Sequence, residues 1–466
     1  MQPITEPDVL AGYLTDASNI HGHAEGLFRP TTTAEVAGIV REANRTGTPI
    51  TVTAGRTSTT AAAVPMGGWV LSTERLGTIE HIGSDAATAQ AGVFLGEFQA
   101  AIEATGRLYP PDPTSRHDCA LGASIATNAS GARSFKYGPT RPWVESVEVV
   151  LPTGEILTAT RDTPIPTDWP VPEWTEPPVK TAAGYVPPSN LLDVFIGQEG
   201  TLGILTRATV RLTDLPDEVL GFIVFFSNRA DAIGFVKRAR AAQRADGEGP
   251  VSPRCLEYLD RHCLDLARDR VGDIPDAAQA ALFCEQEVSL DEDSHLQAWW
   301  ELLEQTGALA DDTIVTTDEA GRENLQSFRH AIPAGVNEEV VRNGMPKVGT
   351  DLSVPDDALH AMMDAYEAAP IRHVLFGHIG DNHLHLNLLP RDEEELRIAK
   401  AYYDQLAAQA VALGGSVSAE HGIGKTKRKH LRTMVGPEII EQFRRLKSHL
   451  DPQWILGRGN VIDPPL

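Results

Sequence analysis

Residues 110–138 read PPDPTSRHDCALGASIATNASGARSFKYG. So dense a mixture of Pro, Gly, Ala, Ser and Asn suits neither a strand nor a helix. Gly and Ser let backbone approach a ligand closely, and successive exposed N–H groups form anion-binding concavities. Two shorter stretches share the texture, AGRTST at 54–59 and QEGTLGIL at 198–205. The first follows a strand-like run, Ile50 to Thr53, where a pyrophosphate cradle would sit; taken alone, it reads equally as a tight turn. Working outward, Val36, Ile39, Val40 and Ala43 predict a helix over 32–47 closed by Gly47. Leu95, Phe98 and Ile102 predict another, stopping at Gly106. Residues 143–157 read as a hairpin turning at PTGE. Residues 161–190 hold Trp169, Trp174 and eight prolines, and predict an irregular surface excursion.

After Leu215-Pro216 the texture changes. Strand-like runs (221–226, 373–377, 383–389) alternate with helical ones (229–243, 294–306, 356–367, 393–413, 437–449), which predicts a second α+β domain and a boundary near 215. Length agrees, since 466 residues exceed the ~100–200 of one domain. With 42% hydrophobic and 22% charged residues the chain is ordinary folded protein. Its 40 Lys and Arg against 64 Asp and Glu give a formal charge of −24. That charge repels phosphate backbones and anionic lipid, which weighs against nucleic-acid or polybasic membrane binding. No apolar run nears the ~18–20 residues that cross a bilayer. The N-terminal MQPITEPDVL lacks the basic and apolar regions of a signal peptide, so a cytoplasmic location is expected. Cys119, Cys255, Cys263 and Cys284 form no CxxC or zinc spacing and read as reduced thiols. GxGxxG is absent, against a dinucleotide Rossmann site, and HGIGKT at 421–426 would put the first P-loop glycine on Ala419.

Three of the 15 histidines fall in HIGDNHLH at 378–385, and a fourth in AEHGIGK at 419–425. Strand residues two apart share a face, so His383, His385 and Asn387 project together. IGDN is a turn, which sets His378 facing back across a hairpin. Two imidazoles meeting at a strand end are ordinary divalent-metal geometry, and Glu420 is the natural carboxylate. The bland reading is a polar strand face with surface charges. Geometry alone leaves His383 and His385 both open as the second ligand. The run KTKRK at 425–429 reads as the solvated start of a helix.

Taken in order, PPDPTS, LGASIATNASGARSFKYG, VESVEVVLPTGE and GQEGTLGIL give the chain its likeness to a known family. It resembles the flavin-dependent oxidoreductases of the vanillyl-alcohol-oxidase type, in the D-lactate, D-2-hydroxyglutarate and glycolate dehydrogenase branch, over about residues 20–462. The resemblance implies a two-part α+β FAD-binding domain of PCMH type over 1–215, then an α+β cap over 216–466, of the FAD-linked oxidase C-terminal type, that binds substrate and metal. It places the FAD pyrophosphate on Ala54, Gly55, Arg56, Thr57 and Ser58. Pro111, Asp112, Ser115, Gly122, Ala123, Ser124, Asn128, Gly131, Tyr137 and Gly138 would line the flavin and ribityl chain, with Gly200 and Ile204 near the adenine. The loop at 54–59 holds no His for covalent attachment, so FAD is expected to be non-covalent. Two departures stand out: Arg56 occupies a usual glycine position, and Gly457-Arg458-Gly459-Asn460 replaces the usual Asn-Pro-Gly-Lys.

The same resemblance implies His378, His385 and Glu420 as ligands of a divalent ion, Zn²⁺ foremost, and His421 as general base. It implies Arg329, Lys347 and Asn387 as substrate-binding residues, Lys347 being two residues further upstream of Asp351 than the family lysine. The implied reaction oxidises a D-2-hydroxy acid to its 2-oxo acid by hydride transfer to the flavin. The electron acceptor is open among a quinone, a cytochrome, an electron-transfer flavoprotein and O₂, and a homodimer is compatible with it. Two other readings compete: a metal-free flavoprotein oxidase of alcohols or phenols, and a catalytically idle flavin-binding subunit of a larger complex. A complete metal set argues against both.

Overall fold

A computed structural model describes residues 1–268, 270, 274–317 and 319–464. The chain divides into two compact units: Met1–Gly131, Gly138–Leu215 and Ser416–Leu466 form one, Ala132–Tyr137 and Pro216–Gly415 the other. Leu215 closes one segment of the first unit, while Ala132–Tyr137 and Ser416–Leu466 lie across a division into 1–215 and 216–466. The physical reason for the larger departure lies in the tail. Ile50 donates its N–H to Ile455 O at 2.6 Å and accepts from Gly457 N at 2.9 Å. Fully buried Lys447 donates to Thr201 O at 2.6 Å and Leu456 O at 2.9 Å.

In the first unit, Gly26–Phe28, Trp69–Ser72 and Ile50–Thr53 form a three-stranded parallel sheet in that order. The helix Thr33–Thr46 covers it, packing Val36, Ile39 and Val40 against Ile50, Leu71 and Leu456. Its ends follow the capping rules: Thr32 accepts from Glu35 N, and Gly47 takes the left-handed φ of 69°. A five-stranded antiparallel sheet runs Ile79–Ile82, Ala86–Gln90, Ile204–Arg211, Val144–Val150, Ile156–Thr160. The last two strands are the hairpin expected over 143–157.

The Pro-rich stretch 161–190 has no regular structure, as expected, but it is not a free excursion. Trp174 and Tyr185 set their rings 6.3 and 5.1 Å from that of Phe443 on the C-terminal helix, and Ala182, Ala183 and Tyr185 are buried. Burying each such ring offsets the cost of ordering an irregular backbone. The C-terminal helical segment, Arg428–Leu450, breaks at Gly436 (φ 79°, ψ 166°), so the expected helix over 437–449 starts with Pro437 in its first turn.

In the second unit, one antiparallel sheet runs Ile314–Thr316, Val219–Phe226, Ala280–Glu287, Pro253–Asp260, His373–Gly377, His383–Leu388, Val348–Gly349, and Leu352–Ser353 pairs with His383–Leu388 as well. Every residue of Val219–Phe226 is buried. Helices pack on the sheet; Phe328, Ile332 and Val336 of Glu319–Asn343 join Phe225, Cys255 and Val374 in one core. All four cysteines are free and buried. No helix among the described residues is long and apolar enough to cross a membrane.

Candidate active site

The first unit holds a cavity of about 370 Å³. Its walls are the loop Ala54–Ser58, Pro113–Ser115, the small-residue face Gly122–Ser124, the turn Gln198–Gly200 with Gly203–Leu205, and Glu420 and His421. Strand Ile50–Thr53 delivers the first loop, whose Arg56 backbone is left-handed at φ 57°. The Arg56 guanidinium turns back over the Tyr13 ring, 4.8 Å from its centroid, and donates to Ala54 O at 3.2 Å. A side chain at Gly55 would place Cβ 1.6 Å from Asp118 O, so only glycine fits there. The cavity suits an extended polyphosphate cofactor: small residues bring backbone close, and buried Thr53 Oγ1 on its wall has no hydrogen-bond partner among the described residues.

Of the residues expected around FAD, Ala54, Gly55, Arg56, Thr57, Ser58, Ser115, Gly122, Ala123, Ser124, Gly200 and Ile204 line this cavity. Pro111, Asp112, Asn128, Gly131, Tyr137 and Gly138 are not among its lining residues. Several of these hold the loops together instead. Asn128 (φ 49°) accepts from Arg141 N at 2.9 Å, and a Cβ on Gly131 would stand 1.8 Å from Asp112 O. Tyr137 belongs to the second unit and donates to Glu287.

A buried carboxylate fastens the cavity's far wall. Glu199 (φ 54°) accepts from Ile423 N at 2.8 Å and Gly424 N at 2.7 Å, which fixes the turn that carries Glu420 and His421. Burial pushes its pKa up to about 7, against those two N–H groups and Lys427 and Lys425, which pull it down. Asn460, in the segment that departs from the family pattern, donates to Glu199 O at 3.0 Å and accepts from Lys425 Nζ at 2.6 Å. Lys425 and Lys427 are therefore not a solvated helix start. Lys427 is buried and donates to Ser418 Oγ at 3.2 Å, while burial lowers the Lys425 pKa to about 8. Glu420 Oε2 accepts from Lys180 Nζ at 3.1 Å and Ser130 Oγ at 3.4 Å, and His421 Nε2 lies 3.6 Å from Glu420 Oε1. Lys180 comes from the Pro-rich stretch, and the residues around it carry no motif that would have singled it out.

The histidine cluster belongs to the second unit. His383 and His385 stand on one strand with ring centroids 4.5 Å apart, and His378, at the end of the neighbouring strand, lies 5.2 and 5.6 Å from them. One ring nitrogen of each lies within 4.8 Å of the others, a donor set that fits a divalent ion. His378 Nδ1 donates to Glu257 at 2.5 Å, and His385 Nδ1 to Thr350 O at 3.1 Å. Both bonds engage Nδ1, so Nε2 is the atom that each ring would offer to an ion. His383 Nε2 instead faces the buried Asp351 carboxylate at 2.9 Å. Arg329 donates through Nη2 to the same Glu257 at 3.1 Å, and Lys347 Nζ donates to Asn387 Oδ1 at 2.9 Å. Sequence reading missed Glu257 and Asp351, which lie far in sequence from any histidine they contact.

Residues 24–160 match the family described as FAD binding domain, and residues 221–461 the family described as FAD linked oxidases, C-terminal domain. A D-lactate dehydrogenase of Anaerostipes hadrus is 30% identical over 96% of this chain and 91% of its own. A D-2-hydroxyglutarate dehydrogenase of Xanthomonas citri pv. viticola is 31% identical over 93% and 88%. Among solved structures, alkyldihydroxyacetonephosphate synthase superposes with a TM-score of 0.66 at 18% identity, covering 94% of this chain and 77% of that one, a likeness of fold alone.

Proposed function

The chain belongs to the FAD-linked oxidases, as an FAD-dependent oxidoreductase of the D-lactate, 2-hydroxyglutarate and glycolate dehydrogenase branch, and from that premise we propose that it oxidises a D-2-hydroxy acid with the help of a divalent ion. The observation that carries the metal is the trio of imidazoles whose ring nitrogens lie within 4.8 Å of one another. His378 and His385 are the proposed ligands on the evidence of their Nδ1 partners, and Glu420 is the carboxylate that the resemblance adds. His383, held on Asp351, is the spare donor. Zn²⁺ is the first choice for imidazole and carboxylate ligands.

The Ala54–Ser58 loop, Gly122–Ser124 and the Gln198–Gly200 turn would hold FAD without a covalent bond. FAD, when bound, supplies the hydride acceptor, and the ion supplies the charge that acidifies the substrate hydroxyl. The work of the chain is then positional and acid–base. Arg329 binds the substrate carboxylate, with Lys347 and Asn387 as further polar contacts. His421, on the cavity wall, takes the hydroxyl proton, the general-base role that imidazole fills most often. A steady-state assay with an artificial electron acceptor tests the reading. A 2-oxo acid should form from a D-2-hydroxy acid, and dialysis against a chelator should abolish this while FAD stays bound. Full turnover without any divalent ion would refute the metal's part.

A further inference from the structure

One carboxylate in the second unit serves two of the residues assigned above. Glu257 lies on the strand Pro253–Asp260, paired with Phe283 of the neighbouring strand, and is 5% exposed. Its Oε1 accepts from His378 Nδ1 at 2.5 Å, while its Oε2 accepts from Arg329 Nη2 at 3.1 Å and Nε at 3.3 Å. A buried carboxylate costs several kcal/mol unless its partners are well placed. Here the partners are a proposed metal ligand and the proposed substrate arginine, from different elements, a strand end and the helix Glu319–Asn343.

We propose that Glu257 is a positioning residue that couples the metal site to the substrate-carboxylate site. It fixes the His378 tautomer that presents Nε2 to the ion, and it sets the rotamer of Arg329. This inference rests on the metal reading above and adds a residue to it. An ionised carboxylate only accepts, so the proton shared with His378 sits on Nδ1 and the lone pair on Nε2. The negative charge also raises the basicity of that lone pair, as second carboxylates do for metal-bound imidazoles. Because one group holds both partners, loss of its charge should weaken ion binding and substrate binding together.

The test uses the FAD-loaded full chain with Zn²⁺ alone as probe, titrated in competition with a chromogenic chelator. Glu257→Gln keeps the shape but presents an NH₂ group to one of two donors. It should weaken Zn²⁺ binding about 10–100-fold and raise KM for the hydroxy acid, with FAD content unchanged. Glu257→Asp keeps the charge on a shorter arm and should fall between wild type and Glu257→Gln. If Glu257→Gln does not accumulate folded, Glu257→Asp carries the test alone, with a measurable loss of Zn²⁺ affinity required. The control is His378→Ala. If it loses the ion while folded Glu257 variants bind Zn²⁺ as wild type, this inference fails and the metal reading stands. If His378→Ala also binds Zn²⁺ as wild type, the metal reading fails and takes the inference with it.

Discussion

Lys180 donates to Glu420 at 3.1 Å, with both side chains largely withdrawn from solvent at 5% and 11% exposure. This pair ties the irregular Pro-rich stretch to the wall of the first unit's cavity, which Glu420 lines. Removing one member of a buried pair strands the other, at a cost of about 3–5 kcal/mol. Lys180→Ala should therefore lower the thermal midpoint of unfolding clearly. Lys180→Met combined with Glu420→Gln, which removes both charges, should recover most of that stability while activity stays lost. Unchanged stability in Lys180→Ala would show that the pair is solvated and contributes nothing.

Glu199 gives the first unit a pH-dependent stability. Its pKa rises from 4.5 to about 7 because burial disfavours the charge. In the unfolded chain it ionises near 4.5, so between pH 4.5 and 7 the folded state binds more protons. Stability from this group is full below pH 4.5 and is lost as pH rises through 7, by about 3 kcal/mol in all. Chemical denaturation of wild type and Glu199→Gln should show a difference that changes across that window and is flat outside it. A difference independent of pH would place the carboxylate in water.

The two candidate strand histidines should separate by their partners. His385 Nδ1 is held by a backbone carbonyl, whereas His383 Nε2 faces Asp351. His385→Ala should remove most bound divalent ion, a loss larger than the 10–100-fold typical of residues behind the ligands. His383→Ala should fall within that smaller range. Metal content by elemental analysis, at equal FAD content, checks both. The reverse order would exchange their roles.

His421 and Arg329 should fail in different ways. A general base contributes about 10²–10⁴-fold to the chemical step. His421→Ala should depress flavin reduction at saturating substrate. In its proposed role Arg329 would hold the substrate carboxylate in ground and transition states alike, so Arg329→Ala should mainly raise KM. A charged hydrogen bond is worth about 1.5–3 kcal/mol, or roughly one to two decades of affinity. Stopped-flow reduction against substrate concentration distinguishes the two patterns, and identical patterns would overturn the assignment.

Much of this was legible in the amino-acid sequence, and the failures have local causes. The cavity loops announce themselves because close backbone approach demands small residues, and Gly55 shows why. At Gly55 and Gly131 alike the missing Cβ makes room for a carbonyl of the protein itself, Asp118 O and Asp112 O, and of the two only Gly55 lines the cavity. Strands Pro253–Asp260 and Ala280–Glu287 gave no strand signal because Arg254, Glu257, Glu285 and Glu287 interrupt the apolar pattern. Those charges are neutralised in place, Arg254 by Glu285 at 2.7 Å and Glu257 by Arg329. The helix Glu319–Asn343 was hidden by Pro333 in its interior. Lys425 and Lys427 read as solvated because lysine usually is; Asn460 and Ser418, distant or unremarkable in sequence, bind them inside. Periodicity finds faces, but it does not find the partner of a buried charge.

The claim that this chain is a metal-assisted D-2-hydroxy-acid dehydrogenase is met most directly by anaerobic reduction of its own flavin. The purified protein is mixed with D- and L-2-hydroxy acids and with alcohols lacking a carboxylate, before and after chelation, and the flavin's visible absorbance is followed. The expected result is bleaching by at least one D-2-hydroxy acid, none by its L-enantiomer or by simple alcohols, and loss of bleaching on chelation that Zn²⁺ or another divalent ion restores. Bleaching by alcohols regardless of chelator, or no bleaching by any hydroxy acid from metal-replete protein, would contradict it.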